Sequence, residues 1–399
     1  MTQVALAHCD TYALEAVEGA IRRALAPLGG MAAFVQAGQR VLLKPNLVRA
    51  MPPERAITTH PAIVAAVAKL VNEAGGHPLI VESPGGPYTT LSIKAAYRKT
   101  GMDWAATAGG AELTDAAEAT QVPLPEGRIL HRLDVIQPLS QGDVLINLPK
   151  LKTHNLTALT LGVKNLFGLV PGVLKIGYHA KLQARERFAG ALLDILAYAR
   201  PALNIMDAIV GMEGEGPSGG DPRAIGAILA SADTLALDIV AASLVGYDPL
   251  DVLTTRVAVA WGLTSGRLED VTLLGEPLEA LQVRDFRKGI EMAMDPGLVS
   301  PLLRRFLVRQ EESGGDGIAH SLSYGWFWRQ LVAYPRAGDK CIGCGYCVKH
   351  CPVNAIQVVD RRAQMDLSRC IRCYCCHELC PQLAVELQKP LLGRLLLRG

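Results

Sequence analysis

CIGCGYCVKHCP (341–352) and CIRCYCCHELCP (370–381) are two copies of one template, C-x2-C-x2-C-x3-C-P. Nine of the ten cysteines of the chain lie between Cys341 and Cys380. The short spacings let three thiolates of a run reach three corners of one cubane. In modules with two such runs, the fourth cysteine of each run ligates the other cluster. Two [4Fe–4S] clusters are therefore expected: one on Cys341, Cys344, Cys347 and Cys380, the other on Cys370, Cys373, Cys376 and Cys351. Paired C-x2-C units also bind zinc, but zinc takes four ligands per site and has no use for a repeated four-cysteine run closed by proline. Cys375 stands where the first run has Tyr346, so it reads as a packing residue, and Cys9 reads as a core or strand-end thiol. His350 and His377 are not needed as ligands, because each run supplies its full set of thiolates.

Apolar segments 355–359 and 383–387 begin four and three residues after the last cysteines of the two runs and read as pseudo-symmetric shielding strands. Shielding and hydrogen bonds to sulfur tune cluster potential. Cysteines clustered this tightly point to metal ligation in a reducing compartment rather than disulfides, so the cytoplasm is expected.

Outward from this module the pattern changes. Residues 339–399 form the ferredoxin-like module with a C-terminal tail, LLGRLLLR (391–398), read as a packing segment. Residues 301–338 read as a linker and docking segment, with a Gly-rich stretch at 312–317 and Trp326 and Trp328 on an expected helix. Residues 1–300 alternate short apolar runs with helical patterns. Strands are expected at 4–7, 41–43, 79–81, 144–146 and 204–206, and helices at 12–28 and 61–73. The second helix has Pro at its first turn and Gly75-Gly76 past its end. This alternation predicts an α/β layered domain with a mainly parallel sheet, whose ligands would bind beyond the carboxyl ends of the strands.

Composition narrows the functions. The chain has 399 residues, half of them hydrophobic, and a formal charge of +2. Two or three domains are expected at that length. Without concentrated Lys and Arg, nucleic acid is not the expected partner. The N-terminus lacks a secretory pattern, and the most apolar window, 224–247, is interrupted by Asp233 and Asp238, so no transmembrane segment is expected.

VLLKPNLV (41–48), TTHPAIVAAVAKLVNEAGG (58–76), DVLINLPKLKTHNLTALTLGVKNLFGLVPG (143–172) and MDAIVGMEGEGPSGG (206–220) resemble the DUF362 family, whose domain is often fused to ferredoxin modules. The resemblance implies a fold and a fusion pattern, and no substrate. A fainter similarity runs to lactate racemase-like proteins, which share a strand, a Pro-started helix and a Gly-rich segment. Those enzymes carry a nickel-bearing cofactor on a lysine, and no position of this chain is assigned to it.

Candidate chemistry sits at the expected strand ends. Lys44, Lys150, Lys152 and Lys164, with Asn46, Thr153 and Asn165 beside them, read as binders of a carboxylate or phosphate, because a buried ammonium needs a partner. His154 and His60 are candidate proton donors, with helix capping the alternative for His60. Glu213 and Glu215, in a Gly-rich stretch, could take a proton or a hard cation. That stretch is neither a P-loop nor a dinucleotide fingerprint. His154, Lys164 and Glu213 are the expected catalytic set; Lys44, Asn46, Lys150, Lys152 and Asn165 are the expected substrate binders. Together these readings predict an oxidoreductase that passes electrons from the clusters to a small anionic or carbonyl-bearing substrate, served by a ferredoxin- or flavodoxin-like redox partner. A carrier or adaptor without turnover, and racemase- or isomerase-like chemistry beside structural clusters, are the two other functions compatible with the sequence.

Overall fold

The computed structural model describes residues 2–289, 330 and 332–392. The Gly-rich stretch at 312–317, Trp326 and Trp328 lie outside the described residues, as does the tail from residue 393. The chain divides into two compact units, Met1–Arg287 and Lys288–Gly399.

The first unit is built on a ten-stranded sheet. Its strands are β1 (Thr2–His8), β2 (Arg40–Pro45), β3 (His77–Ile80), β4 (Glu112–Leu113), β7 (Val144–Leu148), β8 (Lys150–His154), β9 (Ala158–Thr160), β10 (Leu203–Glu213), β11 (Asp221–Ser231) and β12 (Val271–Gly275). The order is β12-β1-β11-β10-β7-β2-β3-β4, with β8 beside β10 and β9 beside β8. All neighbours along the main path pair parallel except β11, which runs against both β1 and β10. A separate hairpin joins β5 (Ala119–Pro123) and β6 (Arg132–Ile136).

The expected α/β class with a mainly parallel sheet is therefore what the chain adopts. Helices α1 (Leu14–Leu25), α2 (Pro61–Glu73), α3 (Thr90–Thr100) and α4 (Met102–Gly109) precede the turn to β4. Helices α5 (Gly162–Asn165), α6 (Leu174–Lys181), α7 (Arg185–Ala199), α8 (Thr234–Leu244), α9 (Leu253–Ala260) and α10 (Leu278–Leu281) follow β9. Helix α2 starts where its sequence says: the His60 ring accepts the Ala62 N–H, and Pro61 fills the first turn, where no donor is needed. It is apolar nearly all round because both faces are buried, from Pro61 to Ala68 and again at Leu70 and Val71.

The apolar window 224–247 resolves into β11 followed by α8. The acids that interrupt it are structural: Asp233 caps α8 by accepting from Leu235 N and Ala236 N, and Asp238 accepts the first N–H groups of α5. Among the described residues, no helix is long and apolar enough to cross a membrane.

The long strand β10 sets the geometry of the strand ends. Its first residues pair with β7 (Leu203 opposite Ile146) and later ones with β8 (Asp207 opposite Lys150). Pro149 separates β7 from β8, so one edge of β10 carries two successive partners.

Among its described residues the second unit holds two small antiparallel pairs: β13 (Tyr334–Ala337) with β16 (Val385–Gln388), and β14 (Ile356–Val359) with β15 (Arg362–Met365). Helices α11 (Tyr346–Lys349) and α12 (Cys375–Leu379) carry part of each cysteine run.

Candidate iron–sulfur centres and a buried basic site

Cys341, Cys344, Cys347 and Cys380 line one cavity, and Cys351, Cys370, Cys373 and Cys376 line another. These are the two cross-ligated sets read from the spacing. Among the described residues, no three His, Cys, Asp or Glu side chains converge as the ligands of a single ion do.

Backbone geometry repeats between the runs. Gly343 and Gly345 have positive φ (67° and 73°), and so do their counterparts Arg372 and Tyr374 (55° and 59°). Non-glycine residues rarely adopt that conformation, so the second loop keeps the shape of the first at some steric cost. A Cβ on Gly343 would lie 2.6 Å from the Arg361 backbone, so the first loop needs glycine there for space as well. Ala355 N–H donates to Cys351 Sγ and Ala384 N–H to Cys380 Sγ, both at 3.2 Å, and Ala363 N–H donates to Cys341 Sγ at 3.4 Å. Such N–H···S bonds stabilise negative charge on sulfur and tune potential. Nδ1 of His350 is 2.8 Å from the Tyr346 carbonyl and Nδ1 of His377 is 2.6 Å from that of Val385, so both rings are engaged with the module's own backbone.

In the first unit the strand-end lysines are buried. Lys44, at the end of β2, donates to Glu82 Oε2 at 2.5 Å and to the Pro45 carbonyl at 2.7 Å. A Cβ on Gly168 would fall 2.2 Å from Glu82 Oε1 and 2.5 Å from Lys44 Nζ, so this pair needs glycine above it. Lys150 donates to Asp207 Oδ2 at 2.7 Å and to the Tyr12 hydroxyl at 2.9 Å; that hydroxyl donates to Asp207 Oδ1 at 2.9 Å. The His60 ring stacks on Tyr12 at 3.6 Å, and burial holds it at a pKa of about 4. Burial also lowers the pKa of Lys44 and Lys150, against the attraction of Glu82 and Asp207.

The sequence leads one to expect a substrate anion on these two lysines. Instead each holds a carboxylate of its own chain, because full burial demands a partner and folding supplies one. Glu213, a candidate proton carrier in the sequence, accepts from Arg287 Nε at 2.8 Å and from Arg287 N at 3.1 Å, so its charge is engaged at the end of β10.

Asn46 and Asn165 belong to a buried amide chain. Lys152 Nζ donates to Asn46 Oδ1 (2.9 Å) and to the Ile57 carbonyl (2.5 Å). Asn46 Nδ2 donates to Asn165 Oδ1 (2.9 Å), Asn165 Nδ2 to Asn147 Oδ1 (2.8 Å), and Asn147 Nδ2 to Asn204 Oδ1 (2.9 Å). Every member is nearly inaccessible, and a satisfied network of this kind rigidifies the elements it joins.

A different group gathers on the β8–β9 hairpin. Lys152 and His154 alternate along β8 and so share a face. Thr160 of β9 lies directly opposite Lys152, and Ala158 opposite His154. His154 Nδ1 accepts the Leu156 N–H at 3.0 Å, which leaves the proton of the neutral ring on Nε2. Burial first, then Lys164, His179, Lys152 and Arg185, hold its pKa well below the ordinary histidine value. Lys164 lies over the Phe167 ring at 4.9 Å, and Arg185 donates to the Leu156 carbonyl at 2.7 Å.

Of the expected site residues, the hairpin face thus gathers Lys152, His154 and Lys164, while Lys44, Lys150 and Glu213 are each bound to another side chain of this unit. Sequence reading missed Thr160, His179 and Arg185, whose relevance depends on pairing and packing rather than on any motif. Lys175 was also missed. Burial lowers its pKa to about 7, and it donates to the Ser83 carbonyl.

An α/β domain joined to a module with two four-cysteine cavities defines an iron–sulfur electron-transfer protein. Comparison with known proteins carries this further. Residues 41–243 match the model of the domain of unknown function DUF362, and residues 340–384 match a 4Fe-4S dicluster domain. The chain belongs to the DUF362 family. It is 36% identical over 313 residues to the thylakoid-associated protein sll1697 of Synechocystis sp., covering 76% of this chain and 93% of that one. Over 48 residues it is 46% identical to one component of an ion-translocating oxidoreductase complex of Methanosarcina acetivorans, covering 12% of this chain and 18% of that one. Among solved structures, the lactate racemase apoprotein of Thermoanaerobacterium thermosaccharolyticum matches at a TM-score of 0.35 with 14% identity, over 59% of this chain and 55% of that one. A Thermotoga maritima protein matches at 0.34, also with 14% identity, over 57% of each chain.

Proposed function

We propose that this protein is an oxidoreductase that takes electrons from a ferredoxin- or flavodoxin-like partner and delivers them to a small anionic or carbonyl-bearing substrate in the α/β domain. The observation that carries the reading is the basic group around His154, on the same chain as two four-cysteine cavities. The eight cysteines would hold two [4Fe–4S] clusters, which supply one-electron transfer when bound. A pair can therefore furnish the two electrons that reduce a carbonyl to an alcohol, with two protons added.

The chain's own residues have separate tasks. Lys152 and Lys164 attract and orient the anion. His154 keeps its proton on Nε2 and stays neutral at pH 7, so it donates a hydrogen bond to a carbonyl oxygen without competing for the anion as a fixed charge. Lys44 and Lys150, held by Glu82 and Asp207, keep the strand ends rigid. The thiolates suit a reducing compartment, and the cytoplasm is the location proposed.

The test is a single-turnover experiment on the cluster-loaded chain. The clusters are reduced anaerobically and mixed with candidate carbonyl compounds and organic acids, and their visible absorbance is followed. Reoxidation by one class of small molecule, lost in His154→Gln and Lys164→Gln with the clusters intact, supports the reading. Clusters that stay reduced with every small molecule but are rapidly oxidised by a small redox protein would make the chain a carrier.

A further inference from the structure

We infer that the face of the β8–β9 hairpin carrying Lys152, His154 and Thr160, flanked by Lys164 and Arg185, is a binding site for a small carboxylate. The inference rests on the reading of the α/β domain as the substrate-bearing one, and it names the ligand class.

Thr160 gives the strongest sign. Its side-chain oxygen is buried and has no hydrogen-bond partner among the described residues, and the residue is only 2% exposed. A buried hydroxyl without a partner costs about 1–3 kcal/mol, and native proteins satisfy nearly all such groups. Thr160 stands directly opposite Lys152 in the antiparallel register, so the two side chains leave the hairpin on the same side. The hydroxyl thus lies on the hairpin face that carries Lys152 and His154, where a ligand oxygen would satisfy it.

The chemistry of the donors selects the ligand. Lysine, arginine, the Nε2–H of His154 and a hydroxyl all donate, and an anion made of acceptor oxygens complements them. Main-chain donors of the kind that cradle phosphate at a helix start are close by on α5, but they are taken. Gly162 N–H and Val163 N–H donate to the two oxygens of Asp238 at 2.6 and 3.1 Å. A Cβ on Gly162 would lie 2.9 Å from Asp238 Oδ1, so that carboxylate is seated tightly. The incoming anion therefore meets side chains, a set suited to the two coplanar oxygens of a carboxylate. Lys164 and Arg185 are half-exposed, whereas Lys152, His154 and Thr160 are buried.

The experiment uses the intact, cluster-loaded chain, oxidised and anaerobic. Acetate, propionate, oxalate and malonate are titrated by calorimetry, with inorganic phosphate as the counter-probe, on wild type, Thr160→Val and Lys164→Gln. Valine keeps the shape of threonine and removes the hydroxyl. The expected result has two opposite signs. Thr160→Val raises the ligand-free thermal midpoint, because an unsatisfied buried group is gone, and weakens carboxylate binding about ten-fold or more. Lys164→Gln weakens binding without raising the midpoint.

Binding of phosphate in preference to every carboxylate overturns the ligand class. Saturable binding by none of the four acids overturns the site. A raised midpoint in Thr160→Val with unchanged affinity means that the hydroxyl served only a water, and also overturns it. The oxidoreductase reading fails separately: a carboxylate that binds at this site yet never reoxidises reduced clusters leaves the site standing and removes the reaction.

Discussion

Replacing Glu82 by glutamine gives a sharp test of how the strand ends are held. The substitution preserves the size of the side chain, and its amide oxygen can still accept the Ser83 N–H, which Glu82 Oε1 accepts at 2.8 Å. What it removes is the charge opposite Lys44. The two side chains are 0% and 3% exposed, so water cannot take over. Breaking a buried pair by removing one partner costs about 3–5 kcal/mol, a large part of the total stability of a typical domain. The pH dependence follows from burial, which already lowers the Lys44 pKa. Without Glu82 it falls further, so over the window between that value and about 10.4 the unfolded chain holds a proton that the folded one does not. Stability of the variant therefore rises with pH across that window, and the penalty is full below it.

The assay is denaturant unfolding of wild type, Glu82→Gln, Lys44→Met and the double variant, followed by a probe in the first unit, with cluster absorbance reporting the second unit separately. The double variant leaves no unpaired buried charge, so it is expected to be more stable than Glu82→Gln alone. A cost below about 1 kcal/mol for Glu82→Gln, the range of an exposed pair, refutes the reasoning. So does simple additivity of the two single changes.

Two further outcomes follow from the structure. Cys380→Ser should impair the cluster held by Cys341, Cys344 and Cys347, not the one held by its own run, and Cys351→Ser should do the converse; iron content and the spin-resonance signals of the two variants decide it, and loss confined to the mutated run contradicts cross-ligation. Burial holds His179 at a pKa of about 3, with Lys164 adding to the depression. The unfolded chain therefore binds a proton there as pH falls from about 6.5 towards 3, and stability drops with acid by up to about 1.4 kcal/mol per pH unit from this group. The His179 ring stacks on Phe188 at 4.5 Å, so His179→Phe keeps a ring there and is expected to flatten that slope; an unchanged slope means the histidine does not contribute it.

What could be read from the sequence was what is local in it. The grouping of the eight cysteines around two cavities was legible because three of each four lie within a few residues of one another, and the fourth follows from the repeat. Helix α2 was legible because Pro61 and Gly75 mark its ends. The window 224–247 was harder to divide, since a buried strand and a buried helix are both apolar throughout and show no distinguishing period. The partners of the lysines were invisible for a different reason. Glu82 lies 38 residues from Lys44, and Asp207 lies 57 from Lys150, so only the strand order brings them together. Positive φ at Arg372 and Tyr374 was likewise hidden, because the second run has lost the glycines that announce it in the first.

The same distinction decides which lysines can serve a ligand. A buried ammonium whose charge is matched by a protein carboxylate has little to gain from a second anion, and its value lies in fixing geometry. Lys44 and Lys150 are of this kind: Glu82 sits on the strand-end segment after β3 and Asp207 within β10, so each pair ties two neighbouring strands of the sheet where a crevice would open. The amide chain from Asn46 to Asn204 continues that bracing across β2, β7 and β10. Rigidity there is useful only if something nearby must be held in place. The hairpin leaves the braced edge at Lys152, which belongs to both systems: its Nζ bonds to Asn46 at the end of the amide chain, and its side chain shares a face with His154 and Thr160. That makes Lys152 the point at which the rigid sheet meets the donors of the binding face. A change at Asn46 is thus expected to act on ligand affinity through the position of Lys152, without touching the ligand.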